Sequence, residues 1–127
     1  MIRYAYQSQL QPPAPFVSVK VRNPATGVEL GDLPAQLDTA ADRTVLPDTI
    51  VKSLGLPQIG SIQIAGFGGV IHSFPVFAAL VGIHDLAPQP VKVATHADEV
   101  WILLGRDVLN NRRIVLDGPQ LALEFGA

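Results

Sequence analysis

The chain has 127 residues, 48% of them hydrophobic and 16% charged, with a formal net charge of −2 at neutral pH. That is enough chain for one domain with a real core, and too apolar a composition for a disordered one. The near-neutral charge leaves no basic footprint for nucleic acid, and the lack of cysteine excludes disulfides, thiolate metal sites and cysteine nucleophiles.

The start, Met1 to Gln7, lacks the apolar core of a secretory signal, and no run approaches the roughly 20 apolar residues of a membrane span. The cytoplasm is the expected compartment. Residues 7–15 are polar and proline-rich, so residues 1–15 read as an N-terminal arm and 16–127 as a single domain. Phe16-Val17-Ser18-Val19-Lys20-Val21-Arg22 alternates in period two and predicts a half-buried strand. A turn at residues 23–27 leads to a second strand region over 28–38, broken or bulged near Gly31 and Pro34 and ending on Asp38.

Residues 43–46 continue as a strand. Asp48 is the expected N-cap and Gly55 the expected C-cap of a short helix over 49–54. Residues 61–65 and 70–74 flank Gly66-Phe67-Gly68-Gly69, a glycine-rich hairpin tip, and 75–81 extend the second of those strands. After a loop near Asp85–Pro90, Val91-Lys92-Val93-Ala94-Thr95 is the next strand. Val100-Trp101-Ile102-Leu103-Leu104 is continuously apolar and predicts a strand buried on both faces. A short helix over 106–111 and strands at 114–116 and 121–125 close the chain. Many short strands with one or two short helices indicate an all-β barrel or sandwich.

One stretch stands out for chemistry. In Leu37-Asp38-Thr39-Ala40-Ala41-Asp42-Arg43-Thr44-Val45-Leu46, a carboxylate follows an apolar strand, with a hydroxyl and two very small residues beside it. That pattern presents Asp38 at the mouth of a β-fold with room for a substrate. Alone, Asp38 is as easily a turn or capping residue. Two rival motifs are weak. Gly66-Phe67-Gly68-Gly69 lacks the last glycine and the following helix of a dinucleotide loop, and His72, His84 and His96 are too widely spaced for a metal motif.

Three segments, in order, resemble the retropepsin-like (retroviral-type) aspartic proteases, in their single-domain dimeric form. Residues 37–46 resemble the Asp-Thr-Gly-Ala active-site loop, with Ala40 in place of glycine. Residues 62–71 look like the flap, a hairpin that closes over bound peptide. Ile102-Leu103-Leu104-Gly105-Arg106-Asp107 is similar to the apolar-apolar-Gly-Arg-Asp/Asn segment behind the active site. The resemblance covers roughly residues 16–125 and implies a closed acid-protease β-barrel with a flap hairpin.

It further implies an aspartic endopeptidase acting on extended polypeptides, with no cofactor beyond a catalytic water. One chain supplies one such loop, so a homodimer would bring the second Asp38. By resemblance Thr39 bonds to the partner chain's loop, and Asp42 and Arg106 form an ion pair that ties the loop to the helix at 106–111. Ala40, Ala41, Asp42, Val45, Ala65, Gly66, Phe67, Gly68, Trp101 and Leu103 would contact substrate, Phe67 as part of the lid. Arg43 would either meet an extended peptide or stay a solvated surface arginine. The departure at Ala40 adds a methyl where peptide would lie, and a positive φ there would cost about 1 kcal/mol or more. Two alternatives follow: a non-catalytic interaction module that kept the fold, or a protease that cleaves only its own precursor near the arm.

Overall fold

The computed structural model describes residues 2–126, the side chain of Phe67 excepted. Its strands and helices are β1 (Ile2–Ala5), β2 (Phe16–Arg22), β3 (Glu29–Leu37), β4 (Val45–Pro47), α1 (Asp48–Leu54), β5 (Gln58–Ala65), β6 (Ile71–Ile83), β7 (Gln89–His96), β8 (Ile102–Leu104), α2 (Arg106–Leu109), β9 (Ile114–Asp117) and β10 (Ala122–Phe125). Strands β2-β3-β8-β4-β7-β6 hydrogen-bond in that order, and β2 pairs again with β6, so the sheet closes into a six-stranded barrel. The β3–β8 and β4–β7 pairs are parallel and the others antiparallel, which makes the barrel mixed. Closure removes the edges that a flat sheet would leave open.

The alternation in β2 does what its period demands. Val17, Val19 and Val21 are buried while Lys20 and Arg22 are exposed. These valines meet Leu37, Leu46, Val93, Ile102 and Leu104 in one continuous core. The bulge anticipated in β3 sits at Gly31–Asp32: Val19 faces Leu33 but Val21 faces Leu30, and Asp32 takes φ +55°. Pro34 stays within the strand.

Two local expectations need correction. Asp48 is the first helical residue of α1 rather than its N-cap, because Pro47 (φ −55°, ψ 142°) is the last extended residue. Its carboxylate instead meets Lys52 one turn on, at 2.8 Å. Gly55 does cap the helix, in the left-handed conformation at φ 60°. The apolar run at 100–104 is not buried on both faces. Val100 is 75% exposed and lies outside any strand, β8 starts at Ile102, and only Ile102 and Leu104 point into the core while Leu103 is half-buried.

A second, three-stranded sheet has the order β1-β10-β9, all antiparallel. The arm thus contributes a strand, Ile2–Ala5, with an exposed cross-strand pair between Arg3 and Glu124 at 3.5 Å. Outside the barrel, β5 pairs with the first half of β6 to form a hairpin whose residues are mostly exposed. Among the described residues, no helix is long and apolar enough to cross a membrane, and no group of three metal-ligating side chains occurs.

Candidate active site

Asp38 follows the last residue of β3. The Leu37 amide donates to the Pro15 carbonyl and the Asp38 amide to the Leu104 carbonyl, each at 3.0 Å. Both strands flanking this point are therefore locked before the chain turns outward. The Asp38 side chain is half-buried, and its Oδ1 accepts the Ala40 amide at 3.1 Å. With the Ala41 amide donating to the Asp38 carbonyl at 3.2 Å, this is a tight Asx-type turn. The carboxylate is held by the loop's own backbone.

The loop is then tied to the segment behind it. The Arg106 amide donates to the Ala41 carbonyl at 2.9 Å, and Arg106 Nη1 donates to the Thr39 carbonyl at 2.7 Å. Deeper down, Thr44 is fully buried. Its amide donates to Asp107 Oδ2 at 3.0 Å, its Oγ1 donates to Asp107 Oδ1 at 2.7 Å, and the same Oγ1 accepts the Gly105 amide at 3.2 Å. Asp107 Oδ1 also takes the Val108 amide at 2.9 Å, at the start of α2. Gly105 has no side chain for a steric reason: a Cβ there would lie 2.6–2.9 Å from the Arg43 backbone.

The expected ion pair between Asp42 and Arg106 is not formed. Among the described residues these two make no salt bridge; Asp42 is exposed, and Arg106 is bonded to the Thr39 carbonyl instead. An exposed pair would gain little, whereas loop carbonyls near the helix start offer the guanidinium fixed acceptors. The carboxylate that joins loop and helix is Asp107. Sequence reasoning missed that role, along with those of Thr44 and Gly105. The only signal in the sequence was an acidic residue in the first turn of a helix; its partner lies 63 residues away.

Ala40 is exposed and its φ is not positive; among the described non-glycine residues only Asp32, His84 and Leu121 have positive φ. The loop therefore folds around alanine without backbone strain. Thr39 is exposed beside it. Val45 and Leu103 are register partners and both half-buried, so they form one apolar surface next to the loop. Trp101 packs edge-on against Phe16, with ring centroids 5.3 Å apart at 84°. Phe16 as the buttress of Trp101 was not anticipated.

The hairpin tip turns through Phe67–Gly69. The Gly66 amide donates to the Val70 carbonyl at 2.8 Å, and Gly68 and Gly69 take φ of 77° and 73°. Ala65, Gly66 and Gly68 are exposed, as are Ile64, Val70 and Ile71, which leaves an apolar hairpin standing off the barrel. The lid role expected of Phe67 lies outside the described side chains. Among the described residues the tip makes no hydrogen bond to the Asp38 loop. Thus Asp38, Thr39, Ala40, Ala41 and Arg106 are brought together, Val45 and Leu103 adjoin each other, and the hairpin stands apart.

A shallow cleft of about 250 Å³ adjoins the loop, lined by Asp42, Arg43, Pro90, Val91, Lys92 and Asp107. Arg43 closes one side with a 3.4 Å hydrogen bond from Nη1 to the Lys92 carbonyl. A larger cleft of about 390 Å³, lined by Tyr4, Lys20, Asp32 and His84 among others, contains no residue of the Asp38 loop.

Solved structures share this architecture. A retropepsin-like aspartic protease from Rickettsia conorii superposes with a TM-score of 0.67 at 17% identity, over 99% of this chain and 91% of that one. The fold is that of the retropepsin-like aspartic proteases. The simian foamy virus (mac) protease matches this retropepsin-like fold with a TM-score of 0.56 at 16% identity, over 76% of this chain and 92% of its own. The EIAV protease, solved with the inhibitor HBY-793, gives 0.53 at 23% identity, over 77% and 86%. No protein-family model and no curated protein matches the sequence significantly. At such identities the likeness is one of fold, and the reading of Asp38 rests on the site geometry.

Proposed function

We propose that the protein is an aspartic endopeptidase whose active site forms when two copies each contribute Asp38. The observation that carries this reading is the presentation of Asp38: half-buried, oriented by the Ala40 amide, and pinned through its own amide to Leu104. Nothing about a surface turn requires the two further ties to Arg106 and the part-buried Thr44–Asp107 bond beneath it.

Two carboxyls that close share one proton, because both cannot ionise. The ionised Asp38 takes a proton from a water between them as the water oxygen attacks the peptide carbonyl carbon. The protonated Asp38 of the partner subunit donates to the carbonyl oxygen and stabilises the charge developing there. Collapse of the tetrahedral carbon returns a proton to the leaving nitrogen and breaks the C–N bond. Thr39, exposed next to Asp38, would brace the partner's loop. The substrate would lie extended between the loop, at Ala40, Ala41 and Asp42, and the hairpin tip at Ala65–Gly68. Val45, Leu103 and Trp101 offer apolar walls, so apolar side chains around the cleaved bond are favoured.

Cleavage of a peptide library by wild type and by Asp38→Asn tests the proposal. Cleavage lost in the variant, and confined to acidic or mildly acidic pH in the wild type, is the expected result. No cleavage dependent on Asp38, with peptide binding retained, would leave a binding module on the same fold. A rate still rising above about pH 8 would exclude a shared-proton pair.

A further inference from the structure

Strand β6 belongs to two structures. From Val76 to Val81 it pairs with β7 in the barrel, and from Ile71 to Phe77 it pairs with β5 in the hairpin. The ladder to β7 stops at Val76–Ala94. The next position is Pro75, which has no amide to give, while Thr95 and His96 stay paired with Leu46 and Pro47 of β4. The hairpin therefore leaves the barrel at Pro75. Past that point the two strands still touch, through side chains. Phe74 lies one period beyond Val76 on the same face, and His96 one period beyond Ala94. Their rings stand 5.5 Å apart, centroid to centroid, at 43°. One period further along, the His72 ring lies 6.3 Å from that of Phe74 at 44°. Val76 and Ala94 are buried, Phe74 and His96 half-buried and His72 exposed, so the row runs from core to solvent.

His96 also folds the loop that follows β7. Its Nδ1 accepts the Asp98 amide at 3.1 Å, and its carbonyl accepts the Glu99 amide at 3.3 Å. An imidazole nitrogen accepts only while it carries no proton. The Asp98 carboxylate lies 4.0 Å from that same nitrogen. The other charged or titratable neighbours are Glu99 in the same turn, His72 across Phe74, and Asp48 next to Pro47, which Lys52 engages at 2.8 Å.

We propose that His96 is a proton-sensitive latch for the hairpin. Uncharged, it closes the 96–99 turn and holds its ring against Phe74, which keeps the base of the hairpin on the barrel. Charged, it cannot accept the Asp98 amide. Its Nδ1–H turns to the Asp98 carboxylate instead, and the ring swings away from Phe74. A charged His72 adds repulsion across the same phenyl ring. Attraction of an imidazolium for the phenyl face opposes this; against it stand the lost amide bond and a carboxylate within reach. Lowering the pH therefore frees the hairpin. That the hairpin is a lid rests on the aspartic-protease reading, and a lid that loosens in acid would open to substrate where a shared-proton pair works.

Amide hydrogen exchange of the full chain tests the latch, read over residues 62–74 against β2 and corrected for the intrinsic effect of pH. Protection of the hairpin should fall about threefold or more between about pH 8 and about pH 5, the range in which histidine ordinarily gains its charge. His96→Phe keeps a ring on Phe74 and cannot titrate, so its hairpin should stay protected at both pH values. Phe74→Leu removes the stack and should give the low, acid-like protection at both. Circular dichroism melts establish that each variant is folded; if His96→Phe is not, His96→Gln replaces it, and low protection at both pH values is then expected. A wild-type hairpin protected equally or better in acid, a pH dependence retained in His96→Phe, or Phe74→Leu protected like wild type at the higher pH would each overturn the proposal. Exchange as described without any Asp38-dependent cleavage would leave the latch standing and remove the protease reading alone.

Discussion

Thr44 Oγ1 donates to Asp107 Oδ1 at 2.7 Å and accepts the Gly105 amide at 3.2 Å, so one buried hydroxyl joins the Asp38 loop to the segment behind it. Replacing it by the isosteric valine keeps the shape but leaves the buried Gly105 amide without a partner and removes one bond to the exposed Asp107 carboxylate. Thr44→Val should therefore lower unfolding free energy by about 2 kcal/mol in urea titrations, whereas Thr44→Ser should lie close to wild type. The same variant should lose peptide cleavage, since the loop that carries Asp38 loses its anchor.

Gly105→Ala should be more disruptive than its size suggests. The added methyl meets the Arg43 backbone at 2.6–2.9 Å, and backbone on a braced loop cannot rotate away. An overpacking cost of about 1–3 kcal/mol is expected, read as a fall in Tm. The displaced atoms belong to the Asp38 loop, so cleavage should drop beyond what the lost stability explains. Alanine at Gly60, where nothing lies within 4 Å, is the control that should leave both unchanged.

Ala40→Gly tests whether the loop pays any strain for its alanine. Ala40 has an ordinary φ, so glycine relieves nothing in the fold and only enlarges the freedom of the unfolded chain. Stability should fall by about 0.5–1 kcal/mol in denaturant unfolding. A rise in stability would mean that the loop is strained. Cleavage rates measured on the same samples then isolate what the methyl does to substrate.

Tyr4 gives a pH dependence away from the site. Burial raises its hydroxyl above the usual phenol value of 10.0; a hydrogen bond from the Ser18 backbone opposes this and the Asp85 charge adds to it. The unfolded chain thus ionises first as pH rises. The stability contributed by the neutral phenol is intact below about pH 10 and is lost as pH climbs through the raised folded value. Tyr4→Phe should flatten the loss of Tm between pH 9 and pH 11, roughly the window around the phenol value. Phenolate absorbance should follow the same shift.

Much of this protein could be read from local pattern. Period-two alternation predicts β2, a glycine at the required left-handed position ends α1, and glycines at positive φ mark the hairpin tip. These are short-range facts of side-chain direction and backbone sterics, and residue order alone carries them. The sequence by itself also determined that one chain offers a single Asp38 loop. Only tertiary structure decided what holds that loop. Asp42 and Arg106, plausible partners by residue type, are not paired, and Asp107 takes the role through a bond to Thr44 that spans 63 positions. Only closure of the barrel decided that Val100 is exposed while Ile102 is buried. The reason is the same in each case: burial and hydrogen-bond pairing depend on which strands become neighbours, and in a barrel of parallel and antiparallel pairs those neighbours are distant in the chain.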